Sequence, residues 1–284
     1  MIAGSVARPF IVDTDIGSDV DDAMVLSAIG NFAEISLVGV TCVYGNVDLR
    51  AKIALKYLAG AGLGAVPVYC GESLPISGRE VWHAGLEGSA LGDLSEFRGR
   101  DGGVEFLVRS AREYAGELEI VAIGPLTNIA RAIEADSEFA RNVKRIWMMG
   151  GDYSRDFAEH NMKCDVAAAK IVFGSGVAIS VMPLDVTRQV AISISDFDWL
   201  GDVDLRAEIR QWAEFKKLDI NNPHDLMTLL SAVDGEIFSV SGEGRVEVSE
   251  SGVTVFHGGG GNVVVVRGCD VPAVTKRVMR ALQR

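Results

Sequence analysis

Five aspartates lie within the ten residues from Asp13 to Asp22, in the segment DTDIGSDVDD, with an apolar run on each side. Carboxylates this close together repel one another, so the fold must expose them or supply a countercharge. A solvated acidic turn would explain Asp21 and Asp22, which open the helical segment DDAMVLSAIG, because a helix N-terminus favours negative charge. It does not explain Asp13 and Asp15, which emerge from the apolar run PFIVDT.

Two chemistries place an aspartate at a strand end. A phosphotransfer site of the DxDxT type uses it as nucleophile, but this chain has Gly17 where that pattern has Thr or Val. A hard-cation site suits the cluster better, since Ca²⁺ takes about six to eight oxygen ligands, many of them carboxylates. An EF-hand loop beginning at Asp13 would have Ser18 at its glycine position and Met24 at its glutamate position, which excludes that version.

A strand-end and helix-start pair of aspartates, closed by a distant acid, remains as the cation site. The candidate acid is Asp225, beside His224 in the segment NNPHDLMTLL. Other polar residues also follow predicted strands, namely Asn46 and those of the segments GPLTN, MGGDY and LDVT. Ligands of open α/β sheets bind at the carboxyl ends of the strands, so we expect these residues to converge on one edge.

The elements that must position them alternate between strand and helix. Apolar runs such as ISLVGVTCVYG, LEIVAIG, VKRIWMMGG and VAISVMPLDVT are separated by helical segments such as LRAKIALKYLAGAG and PLTNIARAIEA. This predicts an α/β fold with an open, mostly parallel, Rossmann-like sheet and helices on both faces. Residues 244–268 predict a small C-terminal antiparallel element, with HGGGGN at 257–262 as its hairpin loop. We expect residues 1–284 to form a single domain.

The composition and net charge limit which binding partners and which cellular location we expect for the protein. The formal net charge of −12 disfavours nucleic acid and anionic membranes. Four scattered cysteines without CxxC spacing predict reduced thiols. The first nine residues lack the apolar stretch of a signal peptide, and no window reaches the roughly 18 apolar residues of a membrane span. These features predict a soluble, cytoplasmic protein with no nucleic-acid or membrane partner.

The aspartate cluster and seven further segments together resemble the inosine-uridine-type nucleoside hydrolases, which cleave the N-glycosidic bond of ribonucleosides. The family pattern DxDxGxDDA is present as DTDIGSDVDDA, with two extra residues after Gly17. The other segments follow in family order: TCVYGN, WHAGLEG, VAIGPLTNIA, WMMGGDY, AEHN, LDVT and PHD. The resemblance implies Ca²⁺-dependent hydrolysis of ribonucleosides to base and ribose, by a homodimer or homotetramer.

The resemblance also implies catalytic and metal-binding roles. Asp15 takes the position that binds metal and acts as general base. Asp22, Asp225 and the backbone carbonyl of Thr127 are the other expected metal ligands. His224 is expected at the leaving group, as proton donor or as contact to the base.

Further residues are expected to hold the substrate. Counting back from Ala23 across the two-residue insertion assigns Asp21 to a ribose hydroxyl, and it leaves Asp19 without a role. Asp13 is expected to support the ligands from behind, and Trp82 to be an anchored lid aromatic. The remaining predicted substrate contacts are Asn46, His83, Met149, Glu159, Asn161 and Asp225.

One segment departs from the family pattern. Between MGG and AEHN the chain is shorter than in the well-known members, and it lacks an asparagine that reaches the ribose. Asp156 and Tyr153 are the candidate replacements. Another N-ribosyl compound is therefore an alternative substrate, and a non-catalytic ribose or nucleoside binder is the alternative of another class. The presence of Asp15 as potential base argues against the binder.

Overall fold

The computed structural model describes residues 7–283. Its strands are β1 (Arg8–Thr14), β2 (Ile35–Cys42), β3 (Val68–Cys70), β4 (Arg100–Asp101), β5 (Glu119–Ala122), β6 (Arg145–Met149), β7 (Ile179–Met182), β8 (Ile192–Ser193), β9 (Ile220–Asn221), β10 (Phe238–Val240), β11 (Gly244–Val248), β12 (Thr254–Gly258) and β13 (Val263–Cys269). Its α-helices are α1 (Asp21–Ala28), α2 (Val47–Gly60), α3 (Gly103–Glu113), α4 (Thr127–Ala135), α5 (Phe139–Asn142), α6 (His160–Cys164), α7 (Val166–Gly174), α8 (Leu184–Thr187), α9 (Val203–Lys216), α10 (His224–Val233) and α11 (Val271–Ala281).

The predicted open, mostly parallel sheet is confirmed. Its parallel part has the strand order β4-β3-β2-β1-β5-β6-β7-β13. The chain runs outward from β1 through β2 to β4 on one side, and β5 then begins on the other side of β1. The order therefore reverses between β1 and β5, and this reversal opens a crevice at the carboxyl ends of those strands.

The C-terminal antiparallel element extends this sheet. Strand β11 pairs antiparallel with β12 and with β13, while β13 itself runs parallel to β7. Strand β11 lies between β12 and β13, so these two strands do not pair with each other. The segment HGGGGN, which connects them, is therefore a crossover connection and not the predicted hairpin loop. A second correction concerns LDVT, which forms the short helix α8 after Pro183 and does not continue β7.

Helices cover both faces of the sheet, as predicted. On β1, Phe10 and Val12 belong to a core that includes side chains of α1, α2, α10 and α11. Ile11 points to the opposite face, where side chains of α3, α4 and α7 form a second core. This alternation follows from the two-residue period of a strand. Among residues 7–283, no helix has the length and apolar character to cross a bilayer.

Candidate active site

A cavity of about 400 Å³ lies at the carboxyl edge of the sheet. Asp15 follows β1, Ile123 follows β5, and Met149 ends β6, so adjacent strands bring residues more than 100 positions apart to one place. The other residues that line the cavity are Ser18, Asp19, Asp21, Asp22, Trp82, Phe157, Glu159, His160, Asn161, Leu184, Arg188, Trp212, Lys216, Leu218, Ile220, Asn221, Asn222, His224 and Asp225.

The aspartate loop after β1 is held by buried contacts. Gly17 has φ +118°, a conformation that L side chains rarely adopt. The chain passes Gly124 so closely that a Cβ there would lie 2.9 Å from the backbone nitrogen of Asp15. The buried Arg50 guanidinium donates hydrogen bonds to the carbonyl oxygens of Tyr44 at 2.6 Å, Ile16 at 2.8 Å, and Asp15. These contacts fix the loop without using the aspartate side chains.

Asp13 lies beneath the cavity and does not line it. Its Oδ1 accepts hydrogen bonds from the Thr41 hydroxyl at 2.5 Å and from the Asn128 amide at 2.7 Å, whereas its Oδ2 has no hydrogen-bond partner. Burial raises the pKa of Asp13 to about 7. Asp13 thereby joins β1 to β2 and α4, which places it behind the residues that face the cavity.

Three carboxylates converge at the bottom of the cavity. Asp21, Asp22 and Asp225 each offer an oxygen, and these atoms all lie within 4.8 Å of one another. Burial raises the pKa of all three carboxyls, and the negative charge of their neighbours raises it further. Such a set of buried oxygen ligands fits a hard divalent cation, whose charge relieves the repulsion.

This group differs from the predicted ligand set. Asp21 belongs to it, whereas Asp15 lines the same cavity outside it. The structure also does not bring Thr127 to the cavity. Thr127 is the first residue of α4 and is buried, and its hydroxyl donates to Asp165 Oδ2 at 2.7 Å. At this connection between strand and helix, Ile123 lines the cavity, because it directly follows the strand.

Glu159 and Asn161 line the cavity from the N-terminus of α6. Glu159 accepts hydrogen bonds from the backbone N–H groups of Gly151, Asn161 and Met162, and burial raises its pKa. The Asn161 amide donates to the carbonyl oxygens of Ile123 at 3.0 Å and Met149 at 3.3 Å. Both polar side chains are therefore held in fixed positions beside the aspartates, as ribose contacts would require.

His224 begins α10, next to Asp225. Its Nδ1 lies 2.6 Å from the Thr187 hydroxyl, and burial lowers its pKa to about 4. The ring is therefore neutral at pH 7. The Thr187 hydroxyl has one proton, which it donates either to Nδ1 or to the Leu184 carbonyl oxygen at 3.2 Å. In the first case the imidazole carries its proton on Nε2, where it is available to a ligand in the cavity.

Two predicted substrate contacts do not line the cavity. Asn46 is exposed, and its side chain accepts a hydrogen bond from the Leu49 backbone at 3.1 Å, so it caps α2. His83 is also exposed, and its ring lies against Gly45. The neighbouring residue Trp82 lines the cavity instead, with 44% of its surface exposed.

Neither candidate replacement for the missing asparagine lines the cavity. Asp156 is exposed, and Tyr153 is turned toward Gly151 and Thr254. Phe157 takes part in the lining instead, and the guanidinium of Arg188, which also lines the cavity, lies 5.6 Å from its ring centroid. The short segment therefore supplies an aromatic side chain where the prediction placed a polar one.

Sequence reasoning missed the wall formed by α9 and the segment after it. Trp212 and Lys216 lie four residues apart and so share a helix face, and Asn221 and Asn222 lie just before His224. Asp19, which had no predicted role, lines the cavity near Trp212 and Lys216. The four-residue spacing and the paired asparagines are weak signals, and no motif connects them to the aspartates.

Known proteins are similar to this chain in sequence and in fold. A family model described as inosine-uridine preferring nucleoside hydrolase matches residues 10–276. Uridine nucleosidase 1 of Arabidopsis thaliana is 33% identical over 272 residues, which cover 87% of this chain and 80% of that protein. The structure of a plant nucleoside hydrolase superposes with a TM-score of 0.87 at 27% identity, covering 98% of this chain and 99% of the other. A purine-preferring ribonucleoside hydrolase from Gardnerella vaginalis shares the fold, with a TM-score of 0.85 at 24% identity and coverage of 97% and 98%.

Proposed function

The chain belongs to the inosine-uridine preferring nucleoside hydrolase family, and we propose that it hydrolyses the N-glycosidic bond of ribonucleosides in a Ca²⁺-dependent reaction. The observation that carries the proposal is the convergence of Asp15, Asp21, Asp22 and Asp225 with His224 in one cavity at the carboxyl edge of the sheet. A relative named for uridine and a family named for inosine and uridine make these two nucleosides the first substrates to test.

The chemistry requires a base for water, contacts to the ribose, and an acid for the departing nucleobase. We assign Asp15 to accept the proton of the attacking water, since its carboxylate lies in the cavity beside the three converging aspartates. Glu159 and Asn161 hold ribose hydroxyls, and neutral His224 donates an Nε2–H hydrogen bond to the leaving base, which takes its proton from solvent as it departs. Met149 lines the pocket beside them.

The proposed cation ligands are Asp22 and Asp225, joined by Asp21 or Asp15. Asp21 completes the convergent group, whereas the family resemblance implies Asp15, with Asp21 on a ribose hydroxyl. A bound divalent cation lowers the pKa of a coordinated water, which makes that water a better nucleophile at neutral pH. Comparing the Ca²⁺ affinities of Asp15→Ala and Asp21→Ala by calorimetry decides between the two, because only loss of a ligand weakens binding strongly.

The deciding experiment incubates the protein with Ca²⁺ and a panel containing uridine, inosine, cytidine and adenosine, and measures ribose as reducing sugar. Release of ribose, its loss with EDTA, and its recovery with Ca²⁺ but not Mg²⁺ support the full proposal. Recovery with Mg²⁺ alone would reassign the metal. No release from any nucleoside, together with tight ribose binding, would make the protein a binder.

A second substrate class is another N-ribosyl compound. The observation that favours it is Phe157, which lines the cavity where the well-known members are expected to have an asparagine for the ribose. Nicotinamide riboside in the same assay tests this class. The homodimer or homotetramer implied by the family remains a proposal, to be tested by light scattering of the purified protein. The cytoplasmic location also remains a proposal, to be tested by cell fractionation.

A further inference from the structure

We propose that Tyr44 is a positioning residue for this reaction, because it holds Trp82 against the segment that contacts the ribose. The inference rests on the proposed function and adds to it a residue that does not line the cavity. Tyr44 is buried behind the cavity wall, in the segment that connects β2 to α2. Its role follows from a closed set of contacts among four residues, Tyr44, Trp82, His160 and Cys164.

The first contact fixes the loop that carries Trp82. The Tyr44 hydroxyl oxygen accepts a hydrogen bond from the Trp82 backbone N–H at 2.8 Å. Residues 79–92 contain no helix or strand, so their position depends on such contacts. Trp82, like Leu218, is a large apolar side chain that is exposed at the cavity. The exposed ring of Trp82 needs a rigid backbone to present one face to a ligand.

The other contacts connect Trp82 to the segment of Glu159 and Asn161. The Trp82 ring meets the His160 ring edge to face, with centroids 5.4 Å apart and an interplanar angle of 79°. The Cys164 sulfur lies 3.4 Å from His160 Nε2, and Cys164 packs with Tyr44 in one small buried cluster. His160 stands between Glu159 and Asn161 in the chain, so the set of contacts couples the loop to both proposed ribose contacts.

The backbone of Tyr44 supports a dedicated role. Its φ of +67° lies in the left-handed region, which is rare for a bulky residue and costs free energy. Burial raises the pKa of the Cys164 thiol to about 12, which outweighs the lowering by the Tyr44 hydroxyl and leaves the thiol protonated. Cys164 is therefore a hydrogen-bonding partner in this set and not a nucleophile.

The test is a double-mutant cycle on uridine hydrolysis, or on inosine hydrolysis if the wild-type protein prefers it. Tyr44→Phe keeps the ring and removes the hydroxyl, and we expect KM to rise roughly two- to tenfold, as for a lost buried hydrogen bond, with kcat within about twofold. Trp82→Ala should raise KM further. Tyr44→Phe should then add nothing in the Trp82→Ala background, because its effect passes through Trp82.

Two controls separate positioning from stability. Tyr57→Phe removes a buried hydroxyl that bonds to Glu208, away from the cavity, and should leave KM unchanged. Cys164→Ser keeps a hydrogen-bonding group and should lie closer to wild type than Cys164→Ala. An unchanged KM for Tyr44→Phe, or an equal effect with and without Trp82, would overturn the inference. The proposed function fails separately, by absence of ribose release from the wild-type protein.

Discussion

The cavity has two sides that are built differently. On the aspartate side, Asp22 and Asp225 are buried at helix N-termini beside the ends of strands. On the α9 side, Trp212 is half-buried and Leu218 has half of its surface exposed. Buried, mutually repelling carboxylates are costly unless they bind something, whereas half-exposed aromatic and basic residues are tolerated on any surface. We therefore expect the chemistry on the aspartate side and adjustable substrate contacts on the α9 side.

The largest effect should come from Asp15→Asn, which keeps the size of the side chain and removes the proposed base. We expect kcat to fall on the order of a thousandfold, within the range that general acid–base catalysis supplies. The measurement is ribose release at saturating nucleoside and Ca²⁺. Asp156→Asn is the matched control, since Asp156 is exposed outside the cavity and should leave kcat unchanged. Full activity of Asp15→Asn would move the base to another residue.

His224→Ala should lower kcat for a nucleoside on the order of a hundredfold, because the departing base loses the hydrogen bond that stabilises its developing charge. The loss should be much smaller for p-nitrophenyl riboside, whose leaving group departs without protonation. Since burial holds the pKa of His224 at about 4, this residue should not titrate in activity profiles between pH 5 and pH 8. Equal losses for both substrates would assign His224 to binding.

Proton binding should oppose cation binding on the aspartate side. Burial raises the pKa of Asp21, Asp22 and Asp225, and a carboxyl must lose its proton to act as a ligand. We expect the Ca²⁺ affinity measured by calorimetry to fall as the pH is lowered from 8, with protons released on binding. An affinity independent of pH would show that these carboxyls are already ionised in the metal-free protein.

The raised pKa of another buried carboxyl, that of Asp13, affects the stability of the metal-free protein. Burial raises the pKa of Asp13 from 3.8 to about 7, so the folded chain keeps a proton that the unfolded chain releases. Below the ordinary carboxyl pKa range, Asp13 is protonated in both the folded and the unfolded chain and does not lower the free energy of unfolding. As the pH rises toward 7, the buried carboxyl lowers the free energy of unfolding increasingly. Thermal unfolding with EDTA should show Tm falling over this window. Ca²⁺ should raise Tm most at high pH, and a Tm that rises instead would contradict the assigned direction.

The smallest effect should come from Asp19→Asn, although Asp19 lies only three residues from Asp22. Asp19 faces Lys216 and Trp212 on the α9 side and is outside the convergent carboxylates. We expect less than about a fivefold change in kcat/KM and no change in Ca²⁺ affinity, as for a weak ion pair. Asp22→Asn, measured in parallel, should weaken Ca²⁺ binding strongly. Equal losses in the two variants would extend the metal site to Asp19.

The sequence predicted the sheet and most of the aspartate side, for one physical reason. Parallel strands end at one edge, so Asp15, Met149 and the residues after each strand meet whatever their separation in the chain. The α9 side could not be predicted in this way. Trp212 and Lys216 reach the cavity through the packing of α9 against the rest of the fold, and helix periodicity shows their shared face but not its neighbour.

Two predicted site residues in the matched segments do not line the cavity, and their positions in the fold have a feature in common. Asn46 and Thr127 both stand at helix starts, where a polar side chain can serve the helix or its surroundings as well as a ligand. Here the Asn46 side chain caps α2 and the Thr127 hydroxyl donates to Asp165, while the backbone carbonyl of Thr127 stays a predicted ligand. The motif gives the position of such a residue but not which of these tasks it performs. The prediction of one domain over the whole chain stays a prediction.

The distance in sequence between Asp22 and Asp225 has a consequence for how the protein is made. A ribosome delivers the N-terminal aspartates early and their third carboxylate only after more than two hundred further residues. An incomplete chain therefore holds two of the three oxygen ligands and should retain a divalent ion poorly. At the proposed metal site, ion capture would therefore come late in synthesis, and a truncated product lacking Asp225 should be recognisable by its failure to gain thermal stability from Ca²⁺.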